Sequence, residues 1–151
     1  MSDWSDQIHA VFLGLSGYMN RPDIDQAFVT RAGVKLDRAL FPLLTRIGRY
    51  NPIGVVELAG LVGRDHSTVS RQAARLEALG LVERRPAIDD QRVKLLTPSS
   101  AGSEMLEQFS RVRRDFLDER LGDWTDEERA TLLELLRRFS ATIAGFETGS
   151  D

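Results

Sequence analysis

Hydrophobic residues recur at helical spacing along most of the chain, and a short β-type segment interrupts them just after the middle. The pattern predicts a mostly apolar helix from Ile8 to Met19, which the break at residues 20–22 ends. A short second helix follows, with Asp23 or Asp25 as its cap and Gly33 after its last residue. The first helix is too short to span a membrane and too apolar to lie exposed, so we expect it to pack against a partner helix.

A third amphipathic helix is predicted between Asp37, its expected cap, and Tyr50. Pro42 lies about five residues after Asp37, where its ring would remove a backbone hydrogen bond. Either this helix begins later than Asp37 or it is kinked, and the sequence leaves both open. Asn51-Pro52 ends it, and Ile53 is expected to add a short extended segment.

The segment from Glu57 to Pro98 contains two helices separated by a tight turn at Gly63 and Asp65. Glycine adopts a left-handed backbone easily, and an aspartate accepts the free N–H groups at the start of the next helix. That helix has an apolar face spaced by four, three and three residues: Val69, Ala73, Leu76 and Leu79. With the small Ala59 in the preceding helix, the spacing is typical of a helix-turn-helix.

Two short strands are predicted after this motif. Gly80 ends the second helix, and residues 81–82 and 93–96 are β-type runs around a polar, charged tip. A helix-turn-helix followed by such a hairpin is a winged helix. The sequence therefore predicts a mainly α fold with a small β-hairpin wing.

The chain after the wing predicts two long helices. Thr97-Pro98 is the expected start of the first, and Thr125 with Glu128 forms a capping box that opens the second after a break at residues 122–125. Both helices carry apolar stripes: Met105, Phe109, Val112 and Phe116 in the first, and Leu132, Leu133, Leu135, Leu136, Phe139, Ile143 and Phe146 in the second.

One short domain has too little core to cover these stripes together with the first helix. We therefore expect a two-fold symmetric homodimer in which the terminal helices of both subunits interlock. A monomeric bundle that buries its own stripes is the alternative. Residues 148–151 are expected to be a frayed tail.

The composition of the 151-residue chain is that of an ordinary globular protein, with 42% hydrophobic and 28% charged residues. It has no cysteine, which excludes disulfides and thiolate metal sites within this chain. The acidic N-terminus and the absence of a long apolar run predict a cytoplasmic protein. The net charge is −3, but residues 64–94 carry 7 basic and 5 acidic side chains. Positive charge is therefore concentrated in the helix-turn-helix and wing.

The polar face of the second helix has the side chains that reading a DNA major groove requires. Arginine forks onto guanine, and hydroxyl groups reach phosphates or base edges. We expect DNA contacts from Ser67, Thr68, Ser70, Arg71 and Arg75, with Arg64, His66 and Gln72 at the margins. Lys94 and Arg85 are expected to reach phosphates, whereas Arg84 is equally well explained as a structural partner of Asp89 or Asp90.

Several motifs together resemble the multiple-antibiotic-resistance regulator (MarR) family of bacterial transcription factors. They are the runs STVSR and RLEALGLVERR, the wing pair Asp90 and Arg92, and LTP before the next helix, which cover about a third of the chain. The resemblance implies that Arg92, at the wing tip, enters the minor groove, where negative potential is concentrated. Asp90, two residues earlier on the same strand face, would orient that guanidinium.

The resemblance also implies a domain division and a regulatory ligand. Residues 1–36 and 99–147 would form a helical dimerisation region, and residues 37–98 the DNA-binding domain. The expected function is a repressor that binds a pseudo-palindromic operator as a homodimer. A small ligand such as an aromatic acid or a phenol would bind between the two regions and change the spacing of the recognition helices. Candidate pocket residues, each explained better as core or surface, are Tyr18, Phe28, Arg38, Phe41 and Tyr50.

Catalysis has little support in the sequence. The two histidines, His9 and His66, have no metal-ligand or nucleophile pattern around them, and there is no phosphate-binding glycine motif. We therefore predict no enzymatic activity, no cofactor and no metal. Two other classes stay open: a winged-helix module for protein–protein assembly, without salt-sensitive DNA binding, and a helical enzyme subunit, which would need an acid–base pair.

Overall fold

The computed structural model describes residues 3–144, which form α-helices, one 3-10 helix and a single two-stranded antiparallel sheet. This confirms the predicted fold class. A one-turn 3-10 helix, Arg38–Leu40, precedes the third α-helix and is called here the 3-10 turn. The other elements are α1 Trp4–Met19, α2 Pro22–Ala32, α3 Phe41–Tyr50, α4 Val55–Val62, α5 His66–Ala78, β1 Val82–Pro86, β2 Lys94–Pro98, α6 Ser100–Arg120 and α7 Asp126–Ala144.

The chain forms two compact units, of which the first ends at Arg113 and the second begins at Arg114, inside α6. The first unit holds one continuous hydrophobic core. Its fully buried members come from the 3-10 turn, α3, α4, α5, β2, the first half of α6 and the segment between α3 and α4: Leu40, Leu43, Leu44, Ile47, Ile53, Leu58, Val69, Ala73, Leu76, Leu96 and Phe109. The helix-turn-helix therefore packs against elements that precede it in the sequence and elements that follow it.

The starts of the first two helices differ from the sequence prediction. Helix α1 begins at Trp4, one turn before Ile8, and the break after Met19 is confirmed. Neither Asp23 nor Asp25 caps α2; its cap is Arg21, with Pro22 in the first turn. Proline has no N–H to satisfy and its φ suits a first helical position, so the helix begins there without an aspartate cap.

Asp37 caps the 3-10 turn rather than a long helix, since its Oδ1 accepts a hydrogen bond from Ala39 N at 2.9 Å. Helix α3 begins later, at Phe41, with Pro42 in its first turn. A proline in the first turn removes no helical hydrogen bond. Of the two alternatives for this helix, the late start is correct.

The turn of the helix-turn-helix has the predicted chemistry. Gly63 closes α4 at φ 65°, and Asp65 is the N-cap of α5. Ala59 and Val69 are both buried where α4 and α5 meet. Leu79 is the exception, because α5 ends at Ala78 and leaves Leu79 55% exposed.

Both wing strands begin one residue later than predicted and extend further, β1 to Pro86 and β2 to Pro98. Val82 pairs with Pro98 and Pro86 with Lys94, so β2 begins at Lys94 rather than Val93. Ile53 forms the expected bridge to Leu96, with N–O distances of 3.0 and 2.8 Å.

Helix α6 begins at Ser100, so the prediction of a start at Thr97-Pro98 was wrong. Pairing with β1 extends β2 through Pro98, and Ser99 takes the capping role by accepting a hydrogen bond from Gly102 N at 3.0 Å. Gly102 lies against the Leu81 carbonyl, where a Cβ would come within 1.9 Å of the oxygen.

Helix α7 opens with the predicted capping box. Thr125 N donates to Glu128 Oε2 at 2.7 Å, and Glu128 N donates to Thr125 Oγ1 at 3.1 Å. No residue of α7 or of α1 is fully buried. The predicted stripe member Phe146 and the tail at 148–151 lie outside the described residues. Among residues 3–144, no helix is long and apolar enough to cross a membrane.

Candidate nucleic-acid interface

Helix α5 divides cleanly into a buried face and an exposed face. Val69, Ala73 and Leu76 are fully buried and attach the helix to the core. The opposite face, at spacings of four, three and four residues, is exposed: Ser67, Arg71, Ala74 and Ala78. His66 is exposed at the first position of the helix, whereas Ser70 and Gln72 are half-buried on its flanks. Ala74 was not among the predicted contacts, which were polar side chains only, although its helical spacing from Ser67 and Arg71 was readable.

The Asp65 carboxylate accepts hydrogen bonds from the hydroxyl groups of Ser67 and Thr68, two of the predicted DNA contacts. Ser67 Oγ donates to Asp65 Oδ2 at 2.6 Å, and Thr68 Oγ1 donates to Oδ1 at 2.7 Å. Thr68 N also donates to Oδ2 at 2.9 Å. These hydrogen bonds, with that of the Ser67 hydroxyl the largest cause, hold the pKa of Asp65 far below its ordinary value. In this arrangement the two hydroxyl oxygens are left as acceptors.

Two of the arginines predicted to contact DNA bind other residues of the protein. Arg64, half-buried, donates through Nη1 to the Ala39 carbonyl at 2.7 Å and to Gln72 Oε1 at 2.9 Å. Arg75 Nη1 lies 3.2 Å from Asp37 Oδ2. The Ala39 N–H, and secondly Arg75, hold the pKa of Asp37 below its ordinary range. No sequence signal links Asp37 to Arg75, because they are 38 residues apart.

Arg71 is the arginine of α5 that points away from the core. Its Nη2 lies 3.3 Å from Thr68 Oγ1, one turn earlier on the same helix. Such a contact at the edge of hydrogen-bonding distance on an exposed side chain is weak. Arg71 therefore has a guanidinium that a ligand can engage at little energetic expense.

The wing tip carries the predicted charged pair. Arg92 donates from its backbone N to Asp90 Oδ1 at 3.0 Å, and its Nε lies 3.4 Å from the same oxygen. Both residues lie in the turn between the strands rather than on a strand face, because β1 ends at Pro86 and β2 begins at Lys94. The Arg92 side chain is 94% exposed, so its far end extends into solvent.

The basic residues on the wing strands have mixed roles. Arg85 Nη2 lies 3.0 Å from Glu83 Oε2, and Lys94 is exposed at the start of β2. Arg84 binds neither Asp89 nor Asp90; its Nε donates to Glu77 Oε2 of α5 at 3.0 Å. This ion pair attaches β1 to the last turn of α5, a contact that depends on the folded hairpin.

Of the five candidate pocket residues, two lie side by side. Phe28 and Phe41 are neighbours, with ring centroids 5.6 Å apart, and Phe41 also meets the buried Phe109 edge-on at 4.8 Å. Tyr18 and Tyr50 are largely exposed, and the Arg49 guanidinium lies 5.5 Å from the Tyr50 ring. Arg38 is exposed on the 3-10 turn. An open cavity of about 410 Å³ lies elsewhere, at the start of α7, against Trp124, Glu127, Glu128, Thr131, Leu132 and Leu135.

Residues 3–144 contain no cluster of three or more histidine, aspartate or glutamate side chains arranged to hold a metal ion. What the site does offer is an exposed helix face beside an exposed basic hairpin. A major groove admits an α-helix, and a minor groove admits an inserted arginine.

Comparison with known proteins identifies the family. The MarR family profile matches residues 36–94, from just before the 3-10 turn to the start of β2. The HTH-type transcriptional regulator YxaD of Bacillus subtilis is 35% identical over 105 residues, which are 70% of this chain and 73% of that protein. The chain belongs to the MarR family. It is a MarR-family transcriptional regulator, and the expectation that it is not an enzyme is confirmed by this membership.

Solved structures agree with this assignment over nearly the whole chain. A structure described as the multiple antibiotic resistance repressor MarR is 26% identical, with a TM-score of 0.65 over 92% of this chain and 96% of that one. A MarR-family regulator from Listeria monocytogenes, solved in complex with a 26mer DNA, has a TM-score of 0.65 at 23% identity, over 95% and 91% of the two chains. The second likeness concerns the fold alone.

Proposed function

We propose that this MarR-family protein is a sequence-specific repressor that binds a pseudo-palindromic operator as a homodimer in the cytoplasm. The observation that carries the proposal is the exposed face of α5 beside the exposed Arg92. A helix held by its other face on a rigid core can enter a major groove while an adjoining basic hairpin reaches the minor groove.

Each element would make its own class of contact with DNA. Arg71 is proposed to read a base edge, and Ala74 beside it would suit contact with a thymine methyl group. Arg92 would enter the minor groove, with Asp90 orienting it, while Arg85 and Lys94 approach phosphates. Arg64 and Gln72 are hydrogen-bonded to each other. The remaining candidates for DNA contact are at the start or flanks of α5: His66, Ser67, Thr68, Ser70 and Arg75.

The exposed apolar side chains of the terminal helices support the homodimer. In α1, Val11, Leu13 and Met19 are 58%, 60% and 68% exposed. In α7, Leu133, Leu135, Leu136 and Ile143 are between 46% and 56% exposed. Large apolar side chains exposed in such numbers are typical of interaction sites. Residues 1–36 and 99–147 are accordingly proposed as the dimerisation region, and residues 37–98 as the DNA-binding domain.

A small aromatic acid or phenol is proposed to weaken operator binding by changing the spacing of the two recognition helices. The support is the family membership, together with the aromatic pair Phe28 and Phe41 at the edge of the core. A panel of aromatic carboxylates and phenols tested by thermal shift would detect such a ligand. An active compound should also release the protein from its DNA.

The experiment that tests the main proposal is selection of bound duplexes from random DNA. The expected consensus is a pseudo-palindrome with half-sites about 10 bp apart, one helical turn, centre to centre. A single asymmetric half-site would contradict the homodimeric operator. No enrichment, with binding that does not respond to salt, would favour a protein–protein assembly module instead.

A further inference from the structure

Arg64 connects two elements that are remote in sequence. It lies between Gly63, which closes α4, and Asp65, which caps α5. Its Nη1 donates both to the carbonyl of Ala39 in the 3-10 turn and to Gln72 Oε1 in the second turn of α5. A charged donor shared by two acceptors at 2.7 and 2.9 Å forms short, strong hydrogen bonds.

The positive charge of Arg64 also interacts with a carboxyl group of the protein, that of Asp25. Asp25 of α2 is half-buried, and burial raises its pKa although the nearby guanidinium groups of Arg46, Arg64 and Arg38 lower it. Arg64 is thus one of three arginines whose charge lowers the pKa of this carboxyl group. The Arg64 guanidinium is half-buried and bonded to Ala39 and Gln72.

A second link joins the same two elements. Asp37, which caps the 3-10 turn, lies 3.2 Å from Arg75 Nη1 of α5. The Arg75 side chain is 58% exposed, so water screens this ion pair and its contribution is small. Of the two links, the half-buried hydrogen bonds of Arg64 constrain α5 more.

We propose that Arg64 is a positioning residue: through Gln72 and Ala39 it sets the orientation of the recognition helix α5, and sequence selectivity depends on it without any contact to DNA. This inference rests on the proposed sequence-specific DNA binding. It replaces the DNA contact expected for Arg64 from the sequence by an internal one. A direct contact, for example to a phosphate, has different consequences for binding.

Arg64→Met tests the role, because methionine keeps much of the aliphatic stem but donates no hydrogen bond. Affinity is measured by fluorescence anisotropy, at several salt concentrations, for a duplex that the wild-type protein selected and for a scrambled duplex of equal composition. A positioning role predicts about tenfold weaker binding to the selected duplex, as expected for removing a hydrogen bond to a charged group. Binding to the scrambled duplex should change less than about threefold, with an unchanged salt slope.

A phosphate contact predicts a different result. Both duplexes would be bound more weakly by similar factors, and the slope of log K against log salt would become shallower by about 0.9 for each phosphate that is no longer neutralised. That result would overturn the inference, and so would unchanged binding to both duplexes. Arg31→Met, which removes the same charge from an exposed position of α2, is the matched control and should leave the ratio of the two affinities unchanged.

Gln72→Met provides a second, independent test of the positioning role. If Gln72 acts through Arg64, its substitution should resemble Arg64→Met, and the double variant should be little worse than either single one. If Gln72 contacts DNA by itself, the two effects should add, which would contradict the inference. Gln72→Glu keeps an acceptor for Arg64 and should retain more selectivity than Gln72→Met.

Failure of this inference can be told apart from failure of the proposed function. If the wild-type protein selects no sequence, sequence-specific binding itself is wrong. If it selects one and Arg64→Met keeps the affinity ratio, only the positioning role is wrong. Should circular dichroism show that Arg64→Met is unfolded, Arg64→Lys takes its place, since lysine keeps the charge and can still reach one acceptor. An intermediate loss of selectivity with an unchanged salt slope is then expected, and full selectivity would overturn the inference.

Discussion

At the scale of single residues, one close approach decides where α6 begins relative to the wing. The Cα of Gly102 lies so near the Leu81 carbonyl that an added Cβ would be 1.9 Å from its oxygen. The obstacle is backbone, not a flexible side chain, so the helix or the segment before β1 would have to move. Both are attached to the core through Leu81 and Phe109.

Gly102→Ala is therefore expected to destabilise the protein by about 1–3 kcal/mol, the usual range for overpacking. Gly60→Ala is the matched control, because Gly60 is also helical but has nothing within 4 Å of its added Cβ. It should instead stabilise α4 by about 0.5–1 kcal/mol through the lower backbone entropy of the unfolded chain. Urea denaturation of both variants measures the difference, and equal stabilities would contradict the close approach.

The lowered pKa of Asp65 leads to a second prediction for a single residue. Its pKa in the folded state is lowered by the Ser67 and Thr68 hydroxyls and by Thr68 N, so the ionised form stabilises the fold. That contribution is fully present above the ordinary aspartate pKa of 3.8 and is lost as the pH falls below it. Asp65→Ala should lower the melting temperature at pH 7, with the gap to wild type closing below about pH 4. Asp65→Asn should lose less at pH 7; a gap independent of pH would show that charge is not the cause.

At the scale of elements, the recognition helix and the wing present different kinds of arginine. Arg71 lies on the exposed face of a helix whose other face is fixed by Val69 and Leu76. Arg92 lies in a turn and is 94% exposed, held only through Asp90. A side chain on a fixed helix can present a defined fork to one base, whereas an arginine in a turn acts mainly through its charge.

Arg71→Ala is expected to weaken binding to the selected sequence by roughly 1–3 kcal/mol and binding to random DNA much less. Arg92→Ala should weaken both and make the salt slope shallower by about 0.9 per phosphate-neutralising charge, or about twice that for a dimer. Asp90→Ala should have the same sign and a smaller effect, because it frees the guanidinium without removing it. Titrations of both duplexes at several salt concentrations measure all three, and two unaffected arginine variants would exclude this surface as the DNA-reading one.

At the scale of the whole molecule, the distribution of buried apolar residues is uneven. The helix-turn-helix side of the chain has its core filled by residues from Val29 to Phe109, whereas α1 and α7 have no fully buried residue. Both helices expose large apolar side chains, which is typical of surfaces that bind another protein chain. Association of two chains is the simplest way to cover them.

Light scattering at micromolar concentration is therefore expected to give a particle of twice 16.9 kDa. Leu136→Glu, on α7, should shift the equilibrium toward the monomer, because it places a charge on the proposed interface. Leu79→Glu is the matched control: Leu79 is 55% exposed but follows the recognition helix, so its substitution should leave the mass unchanged. Deleting residues 126–151 should abolish dimerisation and cause aggregation, and a wild-type particle of 16.9 kDa would contradict the homodimer.

What the sequence determined by itself is the local chemistry. The cap at Asp65, the left-handed Gly63, the capping box of Thr125 and Glu128, and the pair Asp90 and Arg92 were all predicted and are all present. Each depends on groups within a few residues of one another, so the spacing of residue types is sufficient to predict it. The apolar periodicity likewise predicted the buried face of α5, apart from its last member.

Tertiary structure decided where elements begin and which charges pair. Thr97-Pro98 is a good helix start in isolation, but pairing with β1 extends β2 through it. Arg84 has aspartates nearby in sequence, yet the folded hairpin brings it to Glu77. Arg64 looked like one more basic residue beside the groove, and packing of α5 on the 3-10 turn gives it Ala39 and Gln72 instead. Long-range contacts of this kind leave no periodic trace in a sequence, because the partner is specified by the geometry of the whole core and not by its distance along the chain.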